Sequence, residues 1–306
     1  MRTRSSPAHL ERRGRRHNSV EFNPMFPNNF ICSDDNGSIL LYDLRKCFYS
    51  NDSTAHAPLM KYTTSMCRSN FVSRPADITS AVWHPEGRLI GAVTHNSTPT
   101  IYEMSNPHPL CILQCAESQG QHYQSVITIK TGAFSTSLGD DYFLSGSEDK
   151  HAYGWKLPSI DEMRENQRVN NWVNSTSIGF KSDGKKIIPM KVPKATIALG
   201  GHRSIVNSIA CHPELPYIIT AGVEKVVRLH SPIPLQSRDH DCDKLTHGID
   251  QGHGRAYFED DLEEDSDVIT YFDRLVASHS VPNGPTWIVC PSRANYSDTE
   301  NTSDGD

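Results

Sequence analysis

Fifteen histidines and eight cysteines give this chain many groups that could bind metal or move protons. Their spacing does not assemble them. No Cys-X-X-Cys pair occurs, and Cys111 and Cys115, four residues apart, stand alone beside an apolar run. His84, His202 and His212 recur at matching places in a repeat described below, which marks them as turn or structural residues. Asp140-Asp141 and the acids between 259 and 267 read as a solvated turn and tail, because the spaced ligands of a calcium loop are missing. No glycine-rich loop able to cradle phosphate is found. The expectation is a non-catalytic protein with no metal and no cofactor, whose chemistry is that of recognition.

The elements that would present such a surface are short strands. A self-comparison finds four matching units. Each opens on a Ser or Thr, in SVEFNP (19–24), SAVWHP (80–85), TGAFST (131–136) and SIACHP (208–213). Phe22, Trp83, Phe134 or Cys211 follows three residues later. Each unit closes on Tyr42, Tyr102, Trp155 or His230, with Asn36, Asn96, Asp149 or Glu224 six residues before it. Asn and Asp there suit a turn, since their side chains accept bonds from nearby amides. A second apolar strand lies between the marks, and further strands are expected at 59–62, 110–113 and 196–199. About four short strands per unit, separated by Gly, Pro, Asn and Asp turns, make a propeller blade, a small antiparallel sheet that buries its faces only by stacking on neighbours.

The rest of the composition bounds this domain. Hydrophobic residues make up 36% of the 306, low enough to suggest a folded middle with polar tails. Residues 1–17 carry six arginines and one glutamate; residues 236–306 carry sixteen acids and five bases. The expected organisation is a basic arm at 1–17, and blades at about 18–75, 76–125, 126–190 and 191–235. An acidic, mostly disordered tail follows at 236–306, with a short helix near 268–278, where Val268, Ile269, Phe272, Leu275 and Val276 share a face. The arm is followed by no apolar run of the kind a secretory signal has, and no stretch is long and apolar enough to span a membrane. Reduced cysteines in an intracellular protein, nuclear or cytoplasmic, are expected.

The pattern resembles WD repeats. Gly201-His202, Ser208, Glu224 and His230 look like the Gly-His to Trp-Asp pattern of that family, and Asp149 with Trp155 look like its second half. The resemblance implies that His202, Ser208, Glu224 and His230, and Asp149 with Trp155, belong to hydrogen-bonded networks tying blade strands together. The runs HNSVEFNPMFPNNF (17–30), DYFLSGSEDKHAYGWKLP (141–158) and LGGHRSIVNSIACHPELPYIITAGVEKVVRLHSP (199–232) are more specific. They are similar to the DDB1- and CUL4-associated factors, substrate receptors of cullin-4 RING ubiquitin ligases, over about residues 17–235 with a divergent stretch near 160–190.

That resemblance implies an all-β fold: a partial WD-repeat β-propeller with about four recognisable blades where the family has about seven. A fragment or truncated isoform lacking N-terminal blades is expected, with marginal stability and open edges. Tyr42-Asp43-Leu44-Arg45 resembles the family's Trp-Asp-X-Arg sequence, whose arginine helps contact the adaptor, DNA-damage-binding protein 1. The implied partners are that adaptor and a protein substrate, with no small molecule, membrane or nucleic acid. A WD-repeat scaffold in another assembly is the alternative.

Overall fold

In the computed structural model, residues 17–49, 57–68, 71–72, 77–115, 122–169, 179–182, 185–232 and 266–279 are described. The arginine-rich arm and most of the acidic tail lie outside them. Strands dominate, arranged as four blades.

Blade 1 is β1 (His17–Phe22), β2 (Asn29–Asp34), β3 (Ile39–Asp43) and β4 (Met60–Lys61), in that order, with helix α1 (Leu44–Tyr49) between the last two. Strands β5 (Met66–Arg68) and β6 (Phe71–Val72) follow. Blade 2 is β7 (Ile78–Trp83), β8 (Leu89–Thr94), β9 (Thr100–Glu103) and β10 (Asn106–Leu113). Blade 3 starts with β11 (Gly132–Ser135), β12 (Tyr142–Gly146) and β13 (Ala152–Lys156). An insertion then supplies helix α2 (Ile160–Val169), β14 (Gly179–Ser182), β15 (Lys185–Ile187) and β16 (Met190–Val192) before β17 (Ile197–Leu199) completes the blade. Blade 4 has three strands, β18 (Val206–Cys211), β19 (Ile218–Gly222) and β20 (Val227–His230). Helix α3 (Ser266–His279) touches blade 3, where Lys150 pairs with Asp273 at 3.1 Å. Among the described residues no helix is long and apolar enough to cross a membrane.

The insertion is anchored by its own chemistry. Ser159 caps α2, its Oγ accepting from Glu162 N at 3.2 Å, and Asp161 and Glu162 suit the positive end of the helix dipole. Met163 is fully buried in the core between blades 2 and 3. Arg164 donates from both fork nitrogens to Glu103, holding its carboxyl below the usual range. Strand β16 runs parallel to β10 and covers its outer edge, while β14 pairs with β5, joining β15 and β6 in a further four-stranded sheet.

The repeat marks become one cross-strand row per blade. Phe22 pairs with Phe30 and Phe30 with Tyr42; the same register joins Trp83–Ile90–Tyr102, Phe134–Phe143–Trp155 and Cys211–Ile218–His230. Successive side chains on a strand alternate faces. The neighbouring row therefore faces the other way: Glu21–Ile31–Leu41, Val82–Gly91–Ile101, Ala133–Leu144–Gly154 and Ala210–Ile219–Leu229. We term the first set back rows and the second front rows. Each front row packs on the next blade's back row. Ile31 and Leu41 meet Trp83, Ile90 and Tyr102 in one core; Ile101 meets Phe134, Phe143 and Trp155 in a second; Leu144 meets Ile218 in a third.

The Ser or Thr that opens each unit stands three residues before a back-row position, so it faces forward. Ser19 Oγ accepts from Ala81 N at 2.9 Å, Ser80 Oγ from Gly132 N at 3.5 Å, and Thr131 Oγ1 from Ile209 N at 3.2 Å. Each blade thus offers a hydroxyl to the same amide of the blade that follows.

Candidate functional site

Tyr42-Asp43-Leu44-Arg45 lies where β3 passes into α1. Asp43 is buried and Oδ1 accepts from Arg45 N at 3.0 Å, an N-cap that starts the short helix. The same carboxylate holds the Arg45 side chain, with Nε to Oδ1 at 3.0 Å and Nη2 to Oδ2 at 2.8 Å. This two-point pairing draws the Asp43 carboxyl down and the guanidinium up. Arg45 nevertheless keeps 66% of its side chain in solvent. Leu44 is half-buried, its amide donating to Asn28 O at 2.7 Å, and Tyr42 stacks on Phe30 with ring centroids 5.3 Å apart. The segment presents a pre-shaped cationic fork beside aromatic carbon.

Blade 4 contains a closed polar network. His202 Nδ1 meets Glu224 Oε1, and its Nε2 lies 2.6 Å from Thr220 Oγ1. Thr220 Oγ1 in turn lies 2.8 Å from His230 Nε2. Glu224 also accepts from Arg203 N at 3.2 Å. Burial holds both imidazoles below their ordinary value, opposed at His202 by Glu224. His202, Glu224 and His230 are thus brought together. Ser208 is not among them: it is exposed in a forward-facing position, paired with Ala221, and Thr220 supplies the hydroxyl. Strand parity was the signal for this. Ser208 is three residues from Cys211 and so faces away from the back row, whereas Thr220 is two from Ile218 and shares its face.

In blade 3 the two expected partners go separate ways. Asp149 Oδ2 accepts from His122 N at 3.2 Å and from the Tyr153 hydroxyl. Trp155 is fully buried and donates Nε1–H to Gln114 O at 2.7 Å.

A buried ion pair escaped the reading of the sequence. Lys130 and Glu148 have 0% and 1% of their side chains exposed, with Nζ and Oε1 3.3 Å apart. Glu148 Oε1 accepts from Val126 N at 2.7 Å, from Ile127 N and from Thr128 N at 3.3 Å. Lys130 Nζ also donates to Thr128 O at 3.3 Å and Asn207 Oδ1 at 3.4 Å. Burial pushes the ammonium down to about 8 against the pull of Glu148. Through Asn207 it joins blades 3 and 4. A lysine in TIKTG and a glutamate in a turn carry no sequence mark of burial.

Among the described residues no set of three His, Cys, Asp or Glu side chains converges as metal ligands. Cys111 is fully buried and Cys115 half-buried, and burial raises both thiols away from reactivity.

Residues 192–231 match the family model "WD domain, G-beta repeat". With four blades sharing one register, the fold is settled. The chain is a WD-repeat protein. Two curated relatives of this WD-repeat protein are DDB1- and CUL4-associated factor 5 of Mus musculus and of Homo sapiens. Each is 25% identical over 304 aligned residues that take in 84% of the chain. The chain spans 29% of the length of each.

Proposed function

We propose that this WD-repeat protein is a non-catalytic substrate receptor of a cullin-4 RING ubiquitin ligase, docking the adaptor DNA-damage-binding protein 1 through Tyr42–Arg45 and presenting a protein substrate on its blades. The observation that carries the reading is Arg45: two-thirds exposed, yet held at two points by a buried aspartate. An arginine fixed in this way loses little side-chain freedom on binding and offers donors suited to carboxylates and carbonyls. The name of the two relatives, DDB1- and CUL4-associated factor 5, supports the choice of partner. The reading places the protein inside the cell, in nucleus or cytoplasm.

Capture of purified adaptor by this chain and by Arg45→Ala, with folding checked by circular dichroism, tests it. Binding by the parent and a loss on the order of 30-fold in the variant are expected for an interface anchor. Equal binding by both would move the contact elsewhere. No binding by either would favour the alternative, a WD-repeat scaffold in another assembly.

A further inference from the structure

Helix α3 sits against the blades without belonging to their cores. None of its residues is buried, and none enters the three apolar clusters that join the blades. One face is nevertheless covered. Ile269, Phe272, Asp273, Leu275 and Val276 are half-buried, while Thr270, Tyr271, Arg274 and Ala277 are exposed. Positions 269, 272, 273 and 276 follow the i, i+3, i+4, i+7 spacing of a helix seated by one stripe. Asp273, in the middle of that stripe, is the residue that meets Lys150, so the stripe faces blade 3.

Lys150 holds an uncommon backbone to make this contact. It lies in the turn between β12 and β13 with φ 71°, a left-handed conformation that residues other than glycine seldom adopt. Blade 1 has Gly37 at the same place, five residues before Tyr42 as Lys150 is five before Trp155, and with the same φ of 71°. Glycine takes that turn without strain. The lysine keeps the strained position, and its ammonium reaches Asp273 Oδ2 at 3.1 Å, with 43% and 41% of the two side chains in solvent. Lys225, at the same turn position in blade 4, is exposed, as is Arg203, whose amide donates to Glu224 of that turn. This end of blades 3 and 4 therefore presents cations around a docked acid.

We propose that this end of blades 3 and 4 is a recognition surface for an amphipathic helix, and that α3 is its tethered occupant. The partner it fits is a protein helix with apolar side chains at i, i+3 and i+7 and a carboxylate at i+4, the acid meeting Lys150. Such a helix displaces α3, which can leave because no core depends on it. Assigning the displacing helix to a ligase substrate rests on the function proposed above; the site itself does not.

Fluorescence anisotropy with a labelled peptide of residues 266–279 tests the site on the full chain. A side-chain bridge between positions 270 and 274, both exposed, keeps the peptide helical, since a free helix of this length is marginal in water. The parent should bind it weakly, because its own helix competes at high effective concentration. Phe272→Asp in the chain removes that competitor and touches no core, so the peptide should bind on the order of 30-fold tighter. Adding Lys150→Glu to that variant should weaken binding on the order of 10-fold, and a peptide carrying Asp273→Lys should restore it. Restoration also shows that the Lys150→Glu chain is folded. Equal affinity of parent and Phe272→Asp for the peptide would overturn the proposal. So would no binding to Phe272→Asp, or no recovery with the charge-reversed peptide. The assay contains no adaptor, so its failure and a failure of docking through Arg45 are read separately.

Discussion

Gly91 occupies the middle of the blade 2 front row, directly against the Phe143 ring of blade 3. A β-carbon at Gly91 would stand 2.1 Å from Phe143 Cε2, 2.6 Å from Cδ2 and 2.9 Å from Cζ. Carbon atoms settle at about 3.5–4.0 Å, so the ring would have to withdraw by more than ~1 Å. The ring is 0% exposed, Phe134 lies edge-on to it with centroids 5.0 Å apart, and a β-carbon at Gly132 would also reach Cζ at 2.4 Å. With no room to yield, Gly91→Ala should cost about 3 kcal/mol, the upper end for overpacking a core. Phe143→Leu alone should cost about 1–2 kcal/mol through the cavity it leaves. In the double variant the new methyl enters that cavity, so the loss should fall short of the sum by at least about 1 kcal/mol. Urea denaturation with an unchanged slope reads all three. A Gly91→Ala protein within about 0.5 kcal/mol of the parent, or simple additivity, would show that front and back rows do not interlock as described.

Thr220→Val should destabilise by about 1–3 kcal/mol, since it strips a partner from both His202 and His230; Ser208→Ala should stay within about 0.5 kcal/mol. Comparing their urea midpoints decides which hydroxyl belongs to the network. The imidazoles of His202 and His230 are held down in the native state, so the unfolded chain, titrating near ~6.5, binds protons first. Their stabilisation is present above that value and is lost as pH falls through it. Melting temperature should therefore decline between about pH 7.5 and 5.5, before the carboxylates protonate; a flat or rising profile would contradict the assignment.

The blades were legible because their marks are periodic. An aromatic or histidine closing each unit, and a large residue about twenty positions before it, are the two ends of one back row, so spacing alone located the row. The opening Ser or Thr was equally visible, but its role was not. Its partner amide sits in the next blade, a relation that repeats along the series and not within a unit. For the same reason Ser208 was assigned to the network that Thr220 completes. Asp43 and Arg45 are adjacent enough for their pairing to be read locally. Lys130 and Glu148 are eighteen residues apart and become buried only when blades converge around them. The stretch near 160–190 looked merely divergent. The Ser159 cap and the acids of the first turn of α2 were available signals, but the docking of Met163 and Arg164 depends on blade 2.

Lys130 has a consequence for how such a chain could change. Its carbonyl accepts from Thr79 Oγ1 of blade 2 at 3.0 Å, its ammonium faces Glu148 of blade 3, and the same ammonium reaches Asn207 of blade 4. Repeat arrays are often treated as interchangeable units that gain or lose members by duplication and deletion. Here one residue is keyed to three successive units at once. Splicing a generic unit between blades 3 and 4 would strand the ammonium on that side, and removing blade 3 would take the key away altogether. Growth of this array by duplication is obstructed where Lys130 is keyed to its neighbours.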